Sequence, residues 1–384
     1  MLFHPAELGP PEKEVIQRIE YVRQQLRHNL AAPRRWWGLL ARNTFARAIQ
    51  GSNSIEGYNV TREDAIAAAE GEEPLDAKDE AWFAVTGYRT AMTFVLQLAK
   101  DKDFIYNEGI IRSLHFMMVQ HDLSKRPGNW RTGTIYVRRE PSGEVVYEGP
   151  DIELVPGLVA ELIESLNDDS KYHVLIKAAM AHLNLVMIHP FSDGNGRMAR
   201  CLQTLVLAQE GILYPEFCSI EEYLGANTPD YYRVLGETGR GSWQPKNSTK
   251  AWIQFNLTAH YRQAVTLSQR TIAMAQLWEE VSRIAARQGF PDRLLFALCD
   301  AAVGYRVRNA SYRKLAEVSD ILASRDLKNA VDAGLLIPNG ERRGRIYVGS
   351  SQLRGIFDKI KSEHLKRVPD PFEPDKQMEL PIGQ

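Results

Sequence analysis

The sequence predicts a mainly α-helical protein with one β-hairpin in its middle and a small winged helix-turn-helix unit near its C-terminus. Apolar residues recur at helical spacing along most of residues 12–287. Two β-prone runs, TIYV and EVVY, flank a Pro-Ser-Gly turn within residues 132–149. After residue 290, two short helical segments precede alternating apolar residues on either side of a Gly- and Arg-rich loop.

The helical periodicity divides into separate segments in chain order. Thr61 with Asp64 three residues later begins a helix in TREDAIAAAEG. The other predicted helices cover residues 12–30, 33–56, 78–100, 106–121, 151–167, 171–188, 197–211, 228–239 and 248–287. In the C-terminal part, YRKLAEV and ILASRDLKNAVDAGLL form the helix pair, and LLIPNGERRGRIYVG forms a basic hairpin, which together are typical of a winged helix over about 290–350.

Composition is that of an ordinary soluble globular protein. The chain has 384 residues, 44% of them apolar and 25% charged, and a net charge of −1. Residues 290–368 contain 15 Lys and Arg against 9 Asp and Glu, a local charge of +6, so the remainder carries −7. Three widely spaced cysteines indicate buried thiols in a reducing compartment. With neither a secretory signal nor an 18-residue apolar stretch, we expect a cytoplasmic protein without a membrane partner.

The stretch HPFSDGNGRMAR, residues 189–200, has the features of an anion site. Gly194 and Gly196 allow backbone N–H groups to converge on one point, and a helix beginning near Arg197 directs its positive end there. Arg197 and Arg200 are three residues apart, so they share a helical face from which both guanidinium groups reach phosphate oxygens.

The same stretch contains a base and a metal ligand. His189 supplies a base that works near pH 7, and Asp193 supplies one hard oxygen of the kind that holds Mg²⁺ beside substrate phosphates. An EF-hand loop is excluded because Phe191 and Leu202 fall at its first and twelfth positions. A P-loop is excluded because GETGRGS, at 236–242, lacks the lysine.

A second stretch, SNSIEGYNV at residues 52–60, places a carboxylate at the end of a helix. Gly57 is typical of a helix C-terminus, so Glu56 lies where the helix dipole disfavours negative charge by about 0.3–1 kcal/mol. A glutamate in this place is natural if it faces a cation.

These motifs together resemble those of a known family. HPFSDGNGRMAR resembles the signature of Fic-domain adenylyltransferases, HxFx(D/E)GNGRxxR, at every defining position. The hairpin at 132–149 occupies the place of the family's flap, and EYLGANTPDYYRVL resembles the helix that lines its nucleotide pocket. SNSIEG is similar to the family's inhibitory motif, (S/T)xxxE(G/N). The resemblance covers roughly residues 30–265 and implies a helical Fic bundle.

The resemblance implies transfer of AMP from ATP to a Ser, Thr or Tyr hydroxyl of a target protein. His189 would take the proton of that hydroxyl, and Asp193 would hold Mg²⁺ against the α- and β-phosphates. The Asn195 side chain would receive phosphate oxygens together with backbone amides. The implied nucleotide-binding residues are Gly194, Asn195, Gly196, Arg197, Met198, Ala199, Arg200, Asn227 and Tyr232. Relatives often carry Asn where this chain has Gly239.

Two further elements gain roles from the resemblance. Ile135, Tyr136 and Val137 would form a strand that docks an extended segment of the target protein through main-chain hydrogen bonds. Ser52, Glu56 and Gly57 would be the defining residues of the inhibitory motif. Glu56 would pair with Arg200 and occupy the space that the γ-phosphate needs.

Other functions stay open at this stage. One is removal of AMP from a modified protein, with Glu56 aligning a water. Another is a DNA-binding regulator, with basic residues on the helix pair and wing contacting duplex DNA; these are Arg306, Arg308, Arg313, Lys314, Arg325, Lys328, Arg342, Arg343 and Arg345. A kinase of the Doc type is disfavoured, because such relatives carry Lys where this chain has Gly196. A homodimer is a further candidate assembly.

The expected domain organisation follows the motifs. The prediction is an N-terminal helical region (1–105) that contains the inhibitory motif (52–57), a Fic catalytic core (106–287), a winged-helix-like domain (288–368) and a disordered tail (369–384).

Overall fold

The computed structural model describes residues 1–31, 34–139, 142–168, 172–211, 213–341 and 345–373, and it confirms the mainly helical fold class. The helices are α1 (Pro10–Ala31), α2 (Trp37–Ile55), α3 (Arg62–Glu70), α4 (Asp79–Leu98), α5 (Glu108–Val119), α6 (Val155–Asn167), α7 (Val174–Ile188), α8 (Asn195–Gln209), α9 (Glu221–Ala226), α10 (Thr228–Gly239), α11 (Lys250–Arg287), α12 (Leu295–Val303), α13 (Asn309–Ala316), α14 (Asp320–Asp332) and α15 (Ser351–His364). The strands are β1 (Tyr136–Arg139), β2 (Glu144–Glu148), β3 (Val307–Arg308), β4 (Leu336–Asn339) and β5 (Ile346–Gly349).

The sequence-based boundaries agree with most of these elements and miss three helices. α9, α12 and α15 were not predicted, because α9 and α12 are short and α15 follows the last strand at the polar end of the chain. Helix α8 begins two residues earlier than predicted, at Asn195. The predicted start of the second helix, at Pro33, and residues 374–384 of the predicted tail lie outside the described residues.

Helices α7 and α8 pack against each other and form the centre of the core. Nearly every residue of both is buried, as expected for helices that are covered on all sides. The long helix α11 packs against this pair through Trp252, whose Nε1 donates a hydrogen bond to the Ala179 carbonyl at 2.8 Å. The loop between α7 and α8 is therefore held at both ends by rigid, buried elements.

Helix α2 crosses α9 at very short range. A Cβ atom at Gly51 would lie 2.4 Å from the Glu221 carbonyl oxygen, and one at Gly225 would lie 2.7 Å from the Gly51 Cα. Only glycine permits this approach of two backbones. The crossing sets the position of the C-terminal end of α2, where the SNSIEG stretch lies.

A buried polar network connects α7, α8, α10 and α11. His182 contacts Gln203 through Nδ1 at 2.5 Å and the Tyr231 hydroxyl through Nε2 at 2.9 Å. Gln203 in turn contacts Asn256 and His260. Burial lowers the pKa of both His182 and His260 to about 3, so both rings are neutral at neutral pH. Tyr231 is a core residue that fixes α10 to the centre of the fold.

The predicted hairpin is present, with β1 antiparallel to β2 and a bulge between Val137 and Arg138. On its far side, the Glu148 amide donates to the Gly241 carbonyl at 2.9 Å. A Cβ at Gly239 would lie 3.2 Å from the Tyr147 ring, so glycine there lets the hairpin base pack onto α10. Among the described residues, the outer edge of β1 has no strand partner.

The C-terminal part forms a three-stranded antiparallel sheet of order β3-β5-β4 with α12, α13 and α14 beside it. Helices α13 and α14 pack against each other, and α15 packs against α11 and α12. Arg342 and Arg343, predicted on the wing, lie outside the described residues. Among the helices that the structure describes, none combines the length and apolar character of a membrane span.

Candidate active site

His189 follows the last residue of α7 in a left-handed backbone conformation, with φ of 51°. Its Nδ1 lies 3.0 Å from the Val186 carbonyl, an acceptor, so Nδ1 carries the proton and Nε2 carries a lone pair. Burial lowers the pKa of His189, which keeps the ring neutral near pH 7. The side chain is therefore in the state that a general base requires.

Arg131 fixes the backbone of this histidine. Its Nε donates to the His189 carbonyl at 3.0 Å, and its own amide donates to the Pro190 carbonyl at 2.9 Å. The same guanidinium donates to Gly133 at 2.7 Å and to Pro150, on the two sides of the hairpin. One buried arginine thus connects the hairpin to the loop that begins with His189.

The loop is closed by Asn195. Its Oδ1 accepts from the Phe191 amide at 2.9 Å, and its Nδ2 donates to the Phe191 carbonyl at 2.9 Å. Both polar atoms of this side chain make hydrogen bonds inside the loop, and the phosphate contact that the resemblance implied for it stays a prediction. Gly194, with φ of 78°, precedes α8, and the first-turn amides of α8 point out of the helix start.

Met198 and Ala199 do not line this loop. Both side chains are fully buried in the core, and the Met198 amide donates to the Gly194 carbonyl at 2.9 Å. The nucleotide-binding role that the resemblance implies for Met198 and Ala199 stays a prediction, and their buried side chains leave it to the backbone.

Arg197 is fully buried, yet none of its three guanidinium nitrogens has a hydrogen-bond partner among the described residues. Its nearest carboxylate oxygen, on Asp193, is 3.8 Å away. A buried cation without hydrogen-bonded partners is costly, and a bound anion would satisfy it. The structure thus has an unsatisfied cation beside the positive end of α8.

Asp193 is the one carboxylate of the loop. Lys125 lies 2.9 Å from its Oδ2, and the Gly194 amide donates to its Oδ1 at 2.6 Å. Burial raises its pKa, but Lys125 and Arg197 outweigh this effect, and the pKa of Asp193 is lowered. The group is ionised at neutral pH and has the charge that a divalent cation requires.

His115 supports the loop from α5. Gly128 donates to its Nδ1 at 2.9 Å, so its Nε2 carries the proton and donates to the Asp193 carbonyl at 3.1 Å. The ring stacks on Phe191 at 3.7 Å between centroids. Burial lowers the pKa of His115 to about 4, which keeps this support neutral.

Glu56 and Arg200 form an ion pair, with Glu56 Oε1 2.6 Å from Arg200 Nη2. Ser52 also binds this arginine, through its hydroxyl at 2.7 Å and its carbonyl at 2.9 Å. Burial lowers the pKa of Arg200, but the Glu56 charge outweighs it and the pKa is raised. A Cβ at Gly196 would lie 2.3 Å from Glu56 Oε1, so glycine allows the carboxylate to reach the first turn of α8. Gly57, with φ of 83°, ends the segment.

Tyr232 and Asn227, both implied in nucleotide binding, lie in different surroundings. The Tyr232 hydroxyl donates to the Ile55 carbonyl at 3.1 Å, so this half-exposed ring contacts the end of α2. Asn227 lies at the junction of α9 and α10, and its Nδ2 donates to the Tyr223 carbonyl at 2.8 Å. Its Nδ2 is engaged within the fold, and the nucleoside contact implied for Asn227 stays a prediction.

The sequence of the loop and its surroundings is similar to that of known proteins. Residues 106–207 match the Fic/DOC family. The chain contains a Fic domain. It is 25% identical over 241 residues to protein adenylyltransferase fic-1 of Caenorhabditis elegans, covering 61% of this chain and 44% of that protein. It is 29% identical over 199 residues to protein adenylyltransferase Fic of Aedes aegypti, covering 51% and 38%. The chain thus spans less than half the length of these relatives.

Solved structures share the fold of the Fic domain and its surroundings. A Fic family protein from Desulfovibrio desulfuricans G20 aligns with a TM-score of 0.56 at 21% identity, covering 91% of this chain and 99% of that chain. Fic-1 (aa134–508) from C. elegans aligns with a TM-score of 0.52 at 21% identity, covering 68% and 71%. At these identities the likeness shows the fold alone.

In the Fic domain the hairpin residues lie near the loop. Ile135 precedes β1, and its carbonyl accepts from the Gly149 amide at 3.1 Å. A Cβ at Gly149 would lie 2.6 Å from the Ile135 side chain, so glycine makes room for it. Tyr136 is exposed and Val137 is half-buried. The strand presents alternate side chains and one open edge.

The sequence motifs missed three supporting residues of the Fic domain, His115, Lys125 and Arg131. They come from α5 and from the segment that joins α5 to the hairpin. Their only sequence signal is the match of residues 106–207 as a whole, because isolated basic side chains have no characteristic spacing.

Several basic residues predicted on the helix pair are already paired inside the chain. Arg306 contacts Asp76 and Glu63, and Arg308 lies 3.7 Å from Glu72 and donates to the Glu73 carbonyl. Lys314, which lies 3.5 Å from Glu72, follows the same pattern. These contacts join the C-terminal part to α3 and to the acidic segment that follows it, so these three basic side chains already have acidic or carbonyl partners inside the chain.

Proposed function

We propose that this chain is a protein adenylyltransferase. The hydroxyl oxygen of a target Ser, Thr or Tyr attacks the α-phosphorus of ATP, the bond from that phosphorus to the pyrophosphate oxygen breaks, and pyrophosphate leaves. The His189 Nε2 accepts the hydroxyl proton. The observation that carries the proposal is the buried Arg197, whose guanidinium makes no hydrogen bond among the described residues and lies in the first turn of α8, directly after the loop that begins with His189. Such a site suits charged phosphates, whose transfer depends on positioning and charge stabilisation.

Asp193 is the proposed ligand of Mg²⁺. Mg²⁺ is usually held by one or two carboxylates with water and substrate phosphates completing the shell, so a single ionised carboxylate beside an anion site fits it. When bound, Mg²⁺ would neutralise charge on the phosphates. Within the described residues no group of three or more His, Cys, Asp or Glu forms a separate metal cluster, which is compatible with a metal delivered by the nucleotide.

Autoinhibition by Glu56 is the second part of the proposal. Arg200 is fully buried, and Glu56 and Ser52 occupy its Nη2 and Nε, which leaves only Nη1 without a hydrogen-bond partner among the described residues. An arginine so engaged cannot also hold the end of a triphosphate. ATP then binds with its α-phosphate turned away from the attacking oxygen, and transfer is slow.

Target docking is proposed at the open edge of β1. An extended segment of the target pairs with Ile135, Tyr136 and Val137 through backbone hydrogen bonds, and this brings its hydroxyl toward His189. Arg131 supports the arrangement because it holds the hairpin and the His189 carbonyl together.

The Asp193→Ala variant tests both the proposed Mg²⁺ ligand and the proposed AMP transfer. With α-³²P-ATP and a lysate as target source, we expect wild type to label proteins only when Mg²⁺ is present. The variant should lose at least about tenfold in labelling at every Mg²⁺ concentration, because its phosphates lack the fixed cation. Asp332→Ala, an exposed aspartate at the end of α14, is the matched control and should label as wild type does. Mg²⁺-dependent labelling by Asp193→Ala at the wild-type level would exclude this ligand.

A second function, binding of duplex DNA, is proposed for the C-terminal part. Its support is α14, which exposes Arg325 and Lys328 on one face, and the exposed Arg345, which directly precedes β5. By titration of a fluorescent duplex, we expect log Kd to rise linearly with log salt at a slope of about 0.9 per phosphate contact. Arg325→Ala with Lys328→Ala should weaken binding and flatten the slope, while Lys359→Ala, an exposed lysine on α15, should not. Binding absent at low salt would remove this function.

The domain organisation and location follow from the same features. We propose that residues 1–105 carry the inhibitory motif, residues 106–287 the catalytic core and residues 288–368 a winged-helix-like domain. The element order α12, β3, α13, α14, β4 and β5, with the three strands in one antiparallel sheet, supports the last assignment. Because ATP is the proposed donor and the three cysteines are free thiols, we place the reaction in the cytoplasm.

A further inference from the structure

Tyr58 lies two residues beyond Glu56, in a place fixed by the end of α2. The Tyr58 amide donates to the Asn53 carbonyl at 3.1 Å, and the Gly57 amide donates to the Ser54 carbonyl at 3.1 Å. With Gly57 in a left-handed conformation, these bonds close the helix in a Schellman-type cap. The cap holds the Tyr58 side chain in a set direction relative to Glu56.

The Tyr58 ring covers one cation of the candidate active site, Arg197, and its hydroxyl contacts a second, Lys125. The ring centroid is 5.2 Å from the Arg197 Cζ and 5.8 Å from the Lys125 Nζ. Lys125 also donates to the Tyr58 hydroxyl at 3.2 Å. The same Lys125 ammonium lies 2.9 Å from Asp193 Oδ2. Tyr58, Lys125 and Asp193 therefore form a continuous chain from the inhibitory motif to the proposed metal ligand.

This arrangement compensates for charges that lack other partners. The face of an aromatic ring is negative, and it attracts a guanidinium group placed over it, while the hydroxyl of Tyr58 accepts a hydrogen bond from Lys125. For Arg197, which is buried and makes no hydrogen bond among the described residues, the ring is the one close partner apart from Asp193 at 3.8 Å. Tyr58 thus partly takes the place that a bound anion would have.

We propose that Tyr58, acting with Lys125, is a second inhibitory contact, separate from the Glu56–Arg200 pair. It rests on the proposed adenylyl transfer and adds a regulatory residue to it. Glu56 keeps Arg200 from binding the triphosphate, whereas Tyr58 covers Arg197 and holds Lys125 against Asp193. For a nucleotide with Mg²⁺ to bind, Lys125 must leave the carboxylate and the ring must give up part of its contact with Arg197.

The Glu56 and Tyr58 contacts both depend on the position of the C-terminal end of α2. Glu56 and Tyr58 lie on either side of Gly57 at the end of α2, so displacement of that end releases both. Substitution of Glu56 alone leaves the Tyr58 contact in place. The inference therefore predicts that a variant lacking Glu56 is still partly restrained.

The test measures binding rather than turnover. α,β-Methylene-ATP, which lacks the oxygen bridge that transfer must break, is titrated by calorimetry with Mg²⁺ present into wild type, Tyr58→Ala, Tyr58→Phe and Asn59→Ala. We expect Tyr58→Ala to bind the analogue about three- to tenfold more tightly and at a lower Mg²⁺ concentration. Tyr58→Phe should fall between, because it keeps the ring and loses the bond to Lys125. Asn59→Ala, a change at an exposed neighbour, should match wild type.

A second measurement uses the Glu56→Gly background. Adding Tyr58→Ala there should raise α-³²P-ATP labelling a further threefold or more over Glu56→Gly alone. Equal or weaker binding by Tyr58→Ala than by wild type would overturn the inference and make Tyr58 a platform that helps Arg197 meet phosphate. If no variant binds the analogue at all, the nucleotide site itself is wrong. The two failures are thereby distinguishable.

Discussion

His189→Ala is expected to lower AMP transfer from ATP by about 10²–10⁴-fold, the contribution typical of a positioned general base. Nucleotide affinity should change little, because the imidazole acts on the target hydroxyl and the phosphates bind elsewhere in the loop. Initial rates of protein labelling with α-³²P-ATP measure the loss, and calorimetry with α,β-methylene-ATP measures the affinity. His28→Ala, an exposed histidine at the end of α1, is the matched control.

The pH dependence of the wild-type rate gives an independent check. Burial lowers the pKa of His189, so the neutral form that accepts a proton persists below the ordinary histidine value of about 6.5. The rate should therefore be level through pH 7 and fall only at pH values below about 6.5, as the ring takes up a proton. Labelling by His189→Ala at rates similar to wild type would refute the base assignment, provided that thermal unfolding shows the variant folded.

Glu56→Gly is expected to raise labelling, including self-labelling, by about tenfold or more. Removal of the carboxylate frees Arg200 for the end of the triphosphate, and about 1.4 kcal/mol of barrier is a factor of ten in rate. Glu56→Gln should give a smaller gain, because the amide still accepts a hydrogen bond from Arg200 but lacks the charge. If the side chain were only a surface residue, the change would alter the free energy of unfolding by less than about 1 kcal/mol and leave the rate alone.

Arg200→Ala distinguishes release of inhibition from general loosening of the site. It removes the inhibitory partner and the phosphate ligand together, so it should not reproduce the gain. The double variant should be as poor as Arg200→Ala alone, because no carboxylate effect persists without the arginine. If Glu56→Gly labels no faster than wild type on any substrate, inhibition is wrong, and removal of AMP, which would use Glu56 to align water, becomes the better hypothesis.

The twelve-residue loop shows how far the sequence leads. The loop between α7 and α8 contains His189 and Asp193, and the first turn of α8 contains Arg197. Their proximity therefore follows from local geometry alone. For the same reason the fold class was predictable, since helical periodicity and the hairpin turn are local signals. The sequence pattern of the loop did not predict that the side-chain amide of Asn195 hydrogen-bonds to the Phe191 backbone. Closure of the loop depends on the stacking of the Phe191 ring on His115, which comes from a distant helix.

Contacts between distant segments were decided by tertiary structure. Glu56 and Arg200 are 144 residues apart, and their pairing was implied only by resemblance to a family. In this chain it depends on the close crossing of α2 and α9, which needs Gly51 and Gly225 opposite each other, and glycines so far apart have no recognisable spacing.

By itself the sequence determined the helical class, the hairpin, and a loop with base, acid and cations in fixed order. Those features arise from residues close along the chain, whose geometry is set by backbone hydrogen bonding and side-chain periodicity. Only the tertiary structure decided that Lys125 meets Asp193, that Tyr58 covers Arg197, and that Arg308 pairs inside the chain. The reason is physical: a charged side chain takes the partner that packing of the apolar faces brings within reach, and composition does not encode that distance.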